Sequence, residues 1–299
     1  MLGSHVVDRL LAAGVGEVVV LDRRVATANL EPALSSGRVR VVEADIRDSA
    51  VLSELVGGAD AVVHLAALLL NAAQEDPAQA YEVNVTATYE LLRHAARLGS
   101  RVVLGSSVGV YGVPDPGQTI TEATPINART FYGASKFTGE LFARYFCDSA
   151  GLDYVALRIG TLFGDRQHRS GLYPGQLLSL LDRRGDDVID VTGAPEEVHD
   201  FLYVGDAADA VVVAATGNVR DTAINIVSGI PVTWGEVVAA VLSAAASSAT
   251  VRWQARTGHV AAKRRFSRDL AERLLGFRPS VGLTECARRM VAWQDAHAI

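Results

Sequence analysis

Arg101-Val102-Val103-Leu104-Gly105-Ser106-Ser107-Val108-Gly109-Val110-Tyr111-Gly112 is a short β-branched run that breaks into small hydroxyl and glycine residues. Its first part, Arg101 to Leu104, reads as a buried strand, and the remainder is turn chemistry. Strand candidates of the same kind recur on either side, at Glu17 to Leu21, Val39 to Glu43, Ala61 to Leu65 and Tyr154 to Leu157. Between them, Ser4 to Ala13, Ala78 to Leu98 and Thr130 to Ser149 carry apolar residues at three- and four-residue spacing. Strands alternating with amphipathic helices imply βαβ units. The spacing therefore predicts an α/β fold with a doubly wound parallel sheet covered by helices on both faces. Ligands of such sheets sit beyond the carboxyl ends of the strands, where Gly105 to Gly112 lies.

After about Gly160 the rhythm loosens into Gly- and charge-rich loops, 164–171 and 182–200, mixed with shorter helices and strands. Loops of that kind commonly carry substrate contacts. The organisation expected is a first domain over 1–160 and a smaller, mainly substrate-binding lobe over 161–299. Within the second part, the helix Gly205 to Ala215 and the strand Thr222 to Val227 are expected to return in part to the first domain.

With 49% hydrophobic and 21% charged residues over 299 positions, the chain has ample material for a core, and disorder is excluded. A net charge of -6 gives no basic footprint, and Lys263 to Arg265 is too short for a nucleic-acid groove, so nucleic acid is not an expected partner. Cys147 and Cys286 lie far apart without metal-ligand spacing, so neither a disulfide framework nor a metal site is expected. No apolar run is long enough for a membrane span, and Asp8 and Arg9 interrupt the place of a signal peptide, which makes the cytoplasm the expected location.

Thr130 to Ser149 has apolar residues on two lines, Phe137, Leu141 and Tyr145 on one and Phe131, Phe142 and Phe146 on the other. One face covers the sheet. The other needs the smaller lobe or a second copy of the chain, and a helix-mediated homodimer is one expectation.

Of 28 basic residues, 26 are arginine, and only Lys136 and Lys263 are lysine. A chain so biased keeps lysine where a planar guanidinium cannot replace a compact ammonium. Lys136 stands four residues after Tyr132 in Phe131-Tyr132-Gly133-Ala134-Ser135-Lys136, so both side chains leave one face of a helix. An adjacent cation stabilises a phenolate and lowers its pKa, which would let Tyr132 exchange a proton with a hydroxyl or carbonyl. Ser107, just beyond a buried strand, is placed to hydrogen-bond the same substrate oxygen and steady its developing charge. As a bland alternative, Ser106 or Ser107 simply ends the strand.

These residues together resemble the extended short-chain dehydrogenase/reductase family, in particular its NAD-dependent sugar epimerase/dehydratase branch, over essentially the whole chain. The resemblance implies a Rossmann sheet and selects Ser107, Tyr132 and Lys136 as catalytic, with Lys136 also binding the nicotinamide ribose. Relatives that eliminate water or carbon dioxide usually carry an acidic residue directly after the catalytic Ser/Thr. Val108 stands there in this chain, which favours an epimerase, a dehydrogenase or a ketoreductase.

For the cofactor, Val18-Val19-Val20-Leu21-Asp22 ends a strand in a carboxylate that can accept hydrogen bonds from the adenosine ribose 2′-OH, which points to NAD. Arg23 and Arg24 leave NADP open, through pairing with a 2′-phosphate. The resemblance adds Asp45 and Ile46 beside the adenine, Leu65, Ala66 and Ala67 along the cofactor after a strand, and Asn84 and Gly105 near the active site. His64, on an apolar strand, reads as a satisfied core histidine.

The family opens with a strand and a Gly-rich turn ending in a Gly-Phe-Ile-Gly-Ser-His-like run that receives the pyrophosphate. Met1-Leu2-Gly3-Ser4-His5 matches only its last part, leaving Gly3 as the phosphate-side candidate. The expected sheet is thus one lacking its first strand, with weak or undetectable dinucleotide binding. A start assigned too far downstream accounts for this better than a truncation, since loss of a central strand strips ladder partners from two neighbours.

Toward the substrate, Thr161 stands where nucleotide-sugar enzymes of the family usually have the Asn of an Arg-x-x-Asn pattern. His199 replaces an arginine that often grips a diphosphate, and Arg256 matches the second such arginine. Solvated surface charge is the bland reading of Arg158, His168, Arg169 and Arg256, and for all but Arg256 it stands level with a functional one. The resemblance therefore implies a sugar, foremost a nucleotide sugar, with a smaller polyol, sugar acid or natural-product ketone as the alternative. A non-catalytic dinucleotide sensor or inactive remnant of the same fold is the alternative of another class, although such relatives usually lose Tyr or Lys of the pair.

Overall fold

The computed structural model describes residues 1–113, 115, 117–167, 172–255 and 263–297. The chain opens with α1 (Leu2–Ala12), β1 (Val18–Asp22), α2 (Glu31–Leu34), β2 (Val39–Glu43), α3 (Ser49–Gly57) and β3 (Ala61–His64). It continues through α4 (Leu70–Glu75), α5 (Pro77–Tyr81), α6 (Ala87–Leu98), β4 (Arg101–Ser107), β5 (Thr119–Ile120), α7 (Phe131–Ala150) and β6 (Tyr154–Ile159). Then come β7 (Thr161–Phe163), α8 (Leu172–Asp182), β8 (Val188–Thr192), β9 (Val198–Tyr203), α9 (Val204–Thr216) and β10 (Thr222–Ile226). The last elements are β11 (Pro231–Thr233), α10 (Trp234–Ala244), β12 (Thr250–Gln254), β13 (Arg265–Phe266), α11 (Asp269–Leu275) and α12 (Leu283–Ala296).

The expected parallel α/β architecture is present. Four parallel strands run in the order β10-β6-β4-β3, with Leu104 opposite Ala156 and Ile224 opposite Leu157 at the centre. Helices cover both faces. One side is closed by α9 and α11, with Val6 of α1, against Val103, Val155 and Ile224. The other is closed by α3, α6 and α7 against Val102, Leu104 and Ala156. Fully buried strands of a parallel sheet need apolar residues on both faces, which is why Arg101 to Leu104 and Tyr154 to Leu157 show little alternation.

β1 and β2 form a parallel pair of their own, packed by Val7, Leu30 and Ala33 and sharing no ladder with β3. α1 joins the two units, since Val6 packs in the core of the four-stranded sheet and Val7 in that of the pair.

The span read as one helix, Ala78 to Leu98, is broken. A π-turn at Glu82–Thr86 separates α5 from α6 and carries the buried Asn84. Such wide turns insert one extra residue per turn and re-aim side chains, a recurrent device at functional sites. The later part of the chain is more regular than its Gly- and charge-rich sequence suggests. β7, β9 and β11 form a small mixed sheet, β8 pairs with β12, and α8, α10 and α12 bury Leu177, Trp234 and Met290 against them. No helix among the described residues is long and apolar enough to cross a membrane.

Candidate active site

α7 begins where Thr130 caps it, the hydroxyl accepting the amide of Gly133 at 3.0 Å. The first turn then abuts the loop after β4. A methyl group on Gly133 would lie 2.6 Å from the carbonyl oxygen of Gly109, a distance no side chain tolerates. That approach sets the Tyr132 hydroxyl close to Ser107, whose influence lowers the Tyr132 pKa. Ser107 also accepts the amide of Gly109 at 3.1 Å and so stands at the start of a short 3-10 turn, Val108–Tyr111.

Lys136 is buried one turn further on, with Nζ 5.8 Å from the centroid of the Tyr132 ring. Ser107, Tyr132 and Lys136 are therefore brought together. The electrostatics differ from the expected picture. Burial pushes the Tyr132 phenol up to about 12, with Ser107 pulling the other way, and burial brings Lys136 down to about 8. Desolvation disfavours a lone charge on either group, so a phenolate here is stable only together with the ammonium beside it.

Asn84 faces this helix from behind. Its amide donates to the Leu68 carbonyl at 3.0 Å and to Ser135 Oγ at 3.2 Å, and its oxygen accepts the Leu68 amide at 2.7 Å. Ser135 in turn donates to the Tyr132 carbonyl at 2.9 Å. The Asn84 amide is thus spent on joining the segment after β3 to the turn that bears Tyr132. His64 is, as expected, a satisfied core histidine: its Nε2 lies 2.9 Å from Thr88 Oγ1, and burial followed by the nearby Lys136 charge lowers it to about 3.

The remaining cofactor candidates line the carboxyl ends of the parallel strands. Gly105 is buried, and a methyl there would lie 2.9 Å from the Leu65 side chain, so its lack of a side chain lets the ends of β3 and β4 close together. Leu65, Ala66, Ala67 and Ile46 are half-buried or exposed. Asp22 is exposed at the end of β1, its Oδ1 accepting the Arg24 amide at 3.0 Å, and Arg23 beside it is exposed too. Gly3 is exposed in the first turn of α1, which has no side-chain cap on its amides. An uncapped helix start and a carboxylate with an open oxygen suit a pyrophosphate and a ribose, so these residues fit a dinucleotide. Asp45 is less free, because Arg47 holds it through bonds of 2.8 to 3.0 Å and keeps its carboxyl near 2.

Of the substrate-side candidates, Thr161 is half-buried at the start of β7. His199 is buried in the lobe, with Nε2 3.3 Å from Glu197 and its ring 4.4 Å from that of Tyr173. Arg256, His168 and Arg169 lie outside the described residues.

Arg158 corrects a reading of the sequence. Far from being surface charge, it is buried and forked onto Glu140, with Nη2 2.7 Å from the carboxylate. An arginine inside the apolar run Tyr154–Ile159 was the available signal, and Glu140, four residues beyond Lys136, was its missed partner.

Known proteins resemble the chain over its full length. A UDP-glucose 4-epimerase of Mycolicibacterium smegmatis is 29% identical, the match covering 95% of this chain and 92% of that protein. A dTDP-glucose 4,6-dehydratase of Streptomyces griseus is 30% identical over 99% of this chain and 92% of its own. Among solved structures, a dTDP-glucose 4,6-dehydratase from Streptomyces venezuelae with NAD bound superposes with a TM-score of 0.88 at 30% identity, covering 99% of this chain and 94% of the other. A Thermus thermophilus UDP-glucose 4-epimerase in complex with NAD gives 0.87 at 28%, over 100% and 97% of the two chains. The family model described as the NAD dependent epimerase/dehydratase family matches residues 1–227, well over half of the chain. The parallel sheet, the Tyr-Lys helix and these matches agree that the chain belongs to that family, the extended branch of the short-chain dehydrogenases/reductases, whose members are NAD-dependent enzymes.

Proposed function

We propose that the chain epimerises a hydroxyl-bearing carbon of a nucleotide sugar, with Tyr132 as the acid/base. The observation that carries this is the meeting of Ser107 and Tyr132 at the carboxyl end of β4, with one of the chain's two lysines a helical turn away.

The nicotinamide, when bound, supplies the hydride acceptor and donor. The chain's own part is the proton. Tyr132, as a phenolate stabilised by the Lys136 ammonium, takes it from the substrate hydroxyl as the carbonyl forms, holds it as the neutral phenol, and returns it when the carbonyl is reduced. Ser107 donates a hydrogen bond to the same oxygen. Gly3, Asp22, Lys136 and Tyr132 would hold the dinucleotide. NAD is favoured by the open Asp22 carboxylate, and Arg23 is the residue through which NADP would be accommodated.

A 4,6-dehydratase is the second reading, supported by relatives so named. Against it stands Val108, an apolar side chain packed with Val110 and Tyr111 where proton abstraction would need a carboxylate. His199 and Thr161 are the proposed substrate contacts, with Arg256 as a third on the sequence resemblance. We also assign residues 1–160, with β10 and part of α9, to the dinucleotide-binding domain and most of 161–299 to the substrate lobe. The exposed Leu141 and Tyr145 of α7 are proposed to pack on the same helix of a second copy.

Turnover of UDP-glucose and dTDP-glucose with NAD in excess tests the reading, with products separated by chromatography. An equatorial-to-axial change at one carbon, abolished in Tyr132→Phe while the variant stays folded, is expected. A 4-keto-6-deoxy product from the unaltered protein establishes the dehydratase, and equal turnover in Tyr132→Phe removes Tyr132 as the acid/base.

A further inference from the structure

The inner face of α7 is plain in the half that bears the chemistry. Its buried residues there are Gly133, Ser135, Lys136, Gly139 and Glu140, and a methyl on Gly139 would already touch Thr88 and Leu104 at 3.4 and 3.6 Å. Packed helices keep their axial position because side-chain ridges sit in grooves. Glycine and serine provide almost no ridge. Lys136 belongs to the reaction site, which leaves Glu140 as the remaining long side chain on this face.

Glu140 is clamped by two residues, and the arginine among them is held in turn from a third side. Arg158 of β6 donates from Nε to Oε1 at 3.0 Å and from Nη2 to Oε2 at 2.7 Å. Ser106, the residue paired with Arg158 across the β4–β6 ladder, donates to Glu140 Oε1. The third arm runs through Arg158 Nη1, which donates at 2.7 Å to the Tyr111 hydroxyl, which donates at 2.8 Å to Asn225 of β10. All five side chains are buried. A buried ion pair is a poor source of stability, since desolvation offsets the attraction and an apolar pair of similar volume holds a core as well. A two-pronged guanidinium–carboxylate contact does something an apolar contact does not: it fixes distance and orientation together.

We propose that Glu140 and Arg158 are positioning residues whose buried fork sets the axial seat of α7 on β4 and β6, and with it the placement of Tyr132 and Lys136 against Ser107. Tyr111 extends the device to the turn after Ser107, so the helix and the turn are tied to one guanidinium. This seating is independent of which substrate the site takes.

The near absence of lysine supplies the test. In protein labelled with 13Cε-lysine only Lys136 and Lys263 report, and Lys263→Arg assigns them. Glu140→Met/Arg158→Met removes both charges at once and keeps the volume, so it is expected to fold. If the fork seats the helix, Lys136 in this variant titrates at least about one unit higher, toward the ordinary lysine range, as its ammonium regains water. On any substrate turned over, kcat is expected to fall about tenfold or more with KM within about threefold, the mark of misplaced reacting groups. Glu140→Gln, which keeps shape and loses the charge-assisted fork, is expected to move Lys136 in the same direction. A folded double variant with the Lys136 titration and kcat unmoved overturns the proposal. So does failure of both variants to fold, which would make the network a requirement of the fold itself.

Discussion

Lys136 holds its ammonium 5.8 Å from the centre of the Tyr132 ring while buried on a helix face that it shares with Gly133, Ser135, Gly139 and Glu140. Burial moves its pKa from the ordinary 10.5 to about 8, so the folded state releases a proton that the unfolded state keeps. Between pH 8 and 10.5 the unfolded chain binds more protons, and stability attributable to this group rises with pH; below 8 the full penalty remains. Lys136→Met is therefore expected to stabilise the protein at pH 7, by at most about 3 kcal/mol, while abolishing turnover. Urea unfolding of both proteins at pH 7 and pH 10 checks it, and a destabilised variant at pH 7 contradicts it.

His64 acts with the same sign in the acid range. Its folded pKa, about 3, lies below the ordinary 6.5, because burial excludes the imidazolium. Stability associated with His64 is complete above 6.5 and is lost as pH falls toward 3. His64→Gln is expected to flatten the pH dependence of unfolding in that window by up to one proton. An imidazole carbon signal that titrates between pH 6 and 7 and disappears in His64→Gln would refute the assignment.

Gly112 adopts φ 68 and ψ -131, and a Cβ on it would lie 2.1 Å from the Asn127 carbonyl oxygen. That backbone region is essentially reserved for glycine. Gly112→Ala is expected to cost about 1–3 kcal/mol from backbone strain alone, with the collision adding to it. Denaturant midpoints measure the loss. Because Tyr111 precedes it, the variant should also raise the exchange rate of the amides in β10.

The outer side of α7 exposes Leu141 at 53% and Tyr145 at 60%, near Tyr89 of α6, whose ring lies 5.3 Å from that of Phe142. If a second copy covers this face, Leu141→Arg and Tyr145→Arg each shift the mass measured by light scattering from dimer to monomer. Unchanged mass in both variants rules out this face as the interface.

Much of the fold was legible because parallel strands buried on both faces write themselves as unbroken apolar runs. Arg101–Leu104 and Tyr154–Leu157 were readable for that reason, and the Tyr132–Lys136 spacing was readable from helix geometry. What escaped was polar and long-range. The π-turn at Asn84 leaves no mark in apolar periodicity, and Glu140 and Arg158 are far apart in sequence, so each alone reads as a surface charge. The activation of Tyr132 was also overdrawn from spacing: proximity of a cation favours the phenolate, yet desolvation dominates and holds the phenol near 12. Sequence gives the neighbour but not the dryness of the place they share.

The pair β1–β2 and the sheet β10-β6-β4-β3 are separate hydrogen-bonded units, with Asp22 at the tip of one and Tyr132 beside the other, and α1 lodges Val6 in one core and Val7 in the next. A molecule long enough to touch Asp22 and Tyr132 at once would span this seam like a strut. Its two ends would then share a load through α1, so that gripping the adenosine end stiffens the reaction end with no change in any residue that touches the substrate.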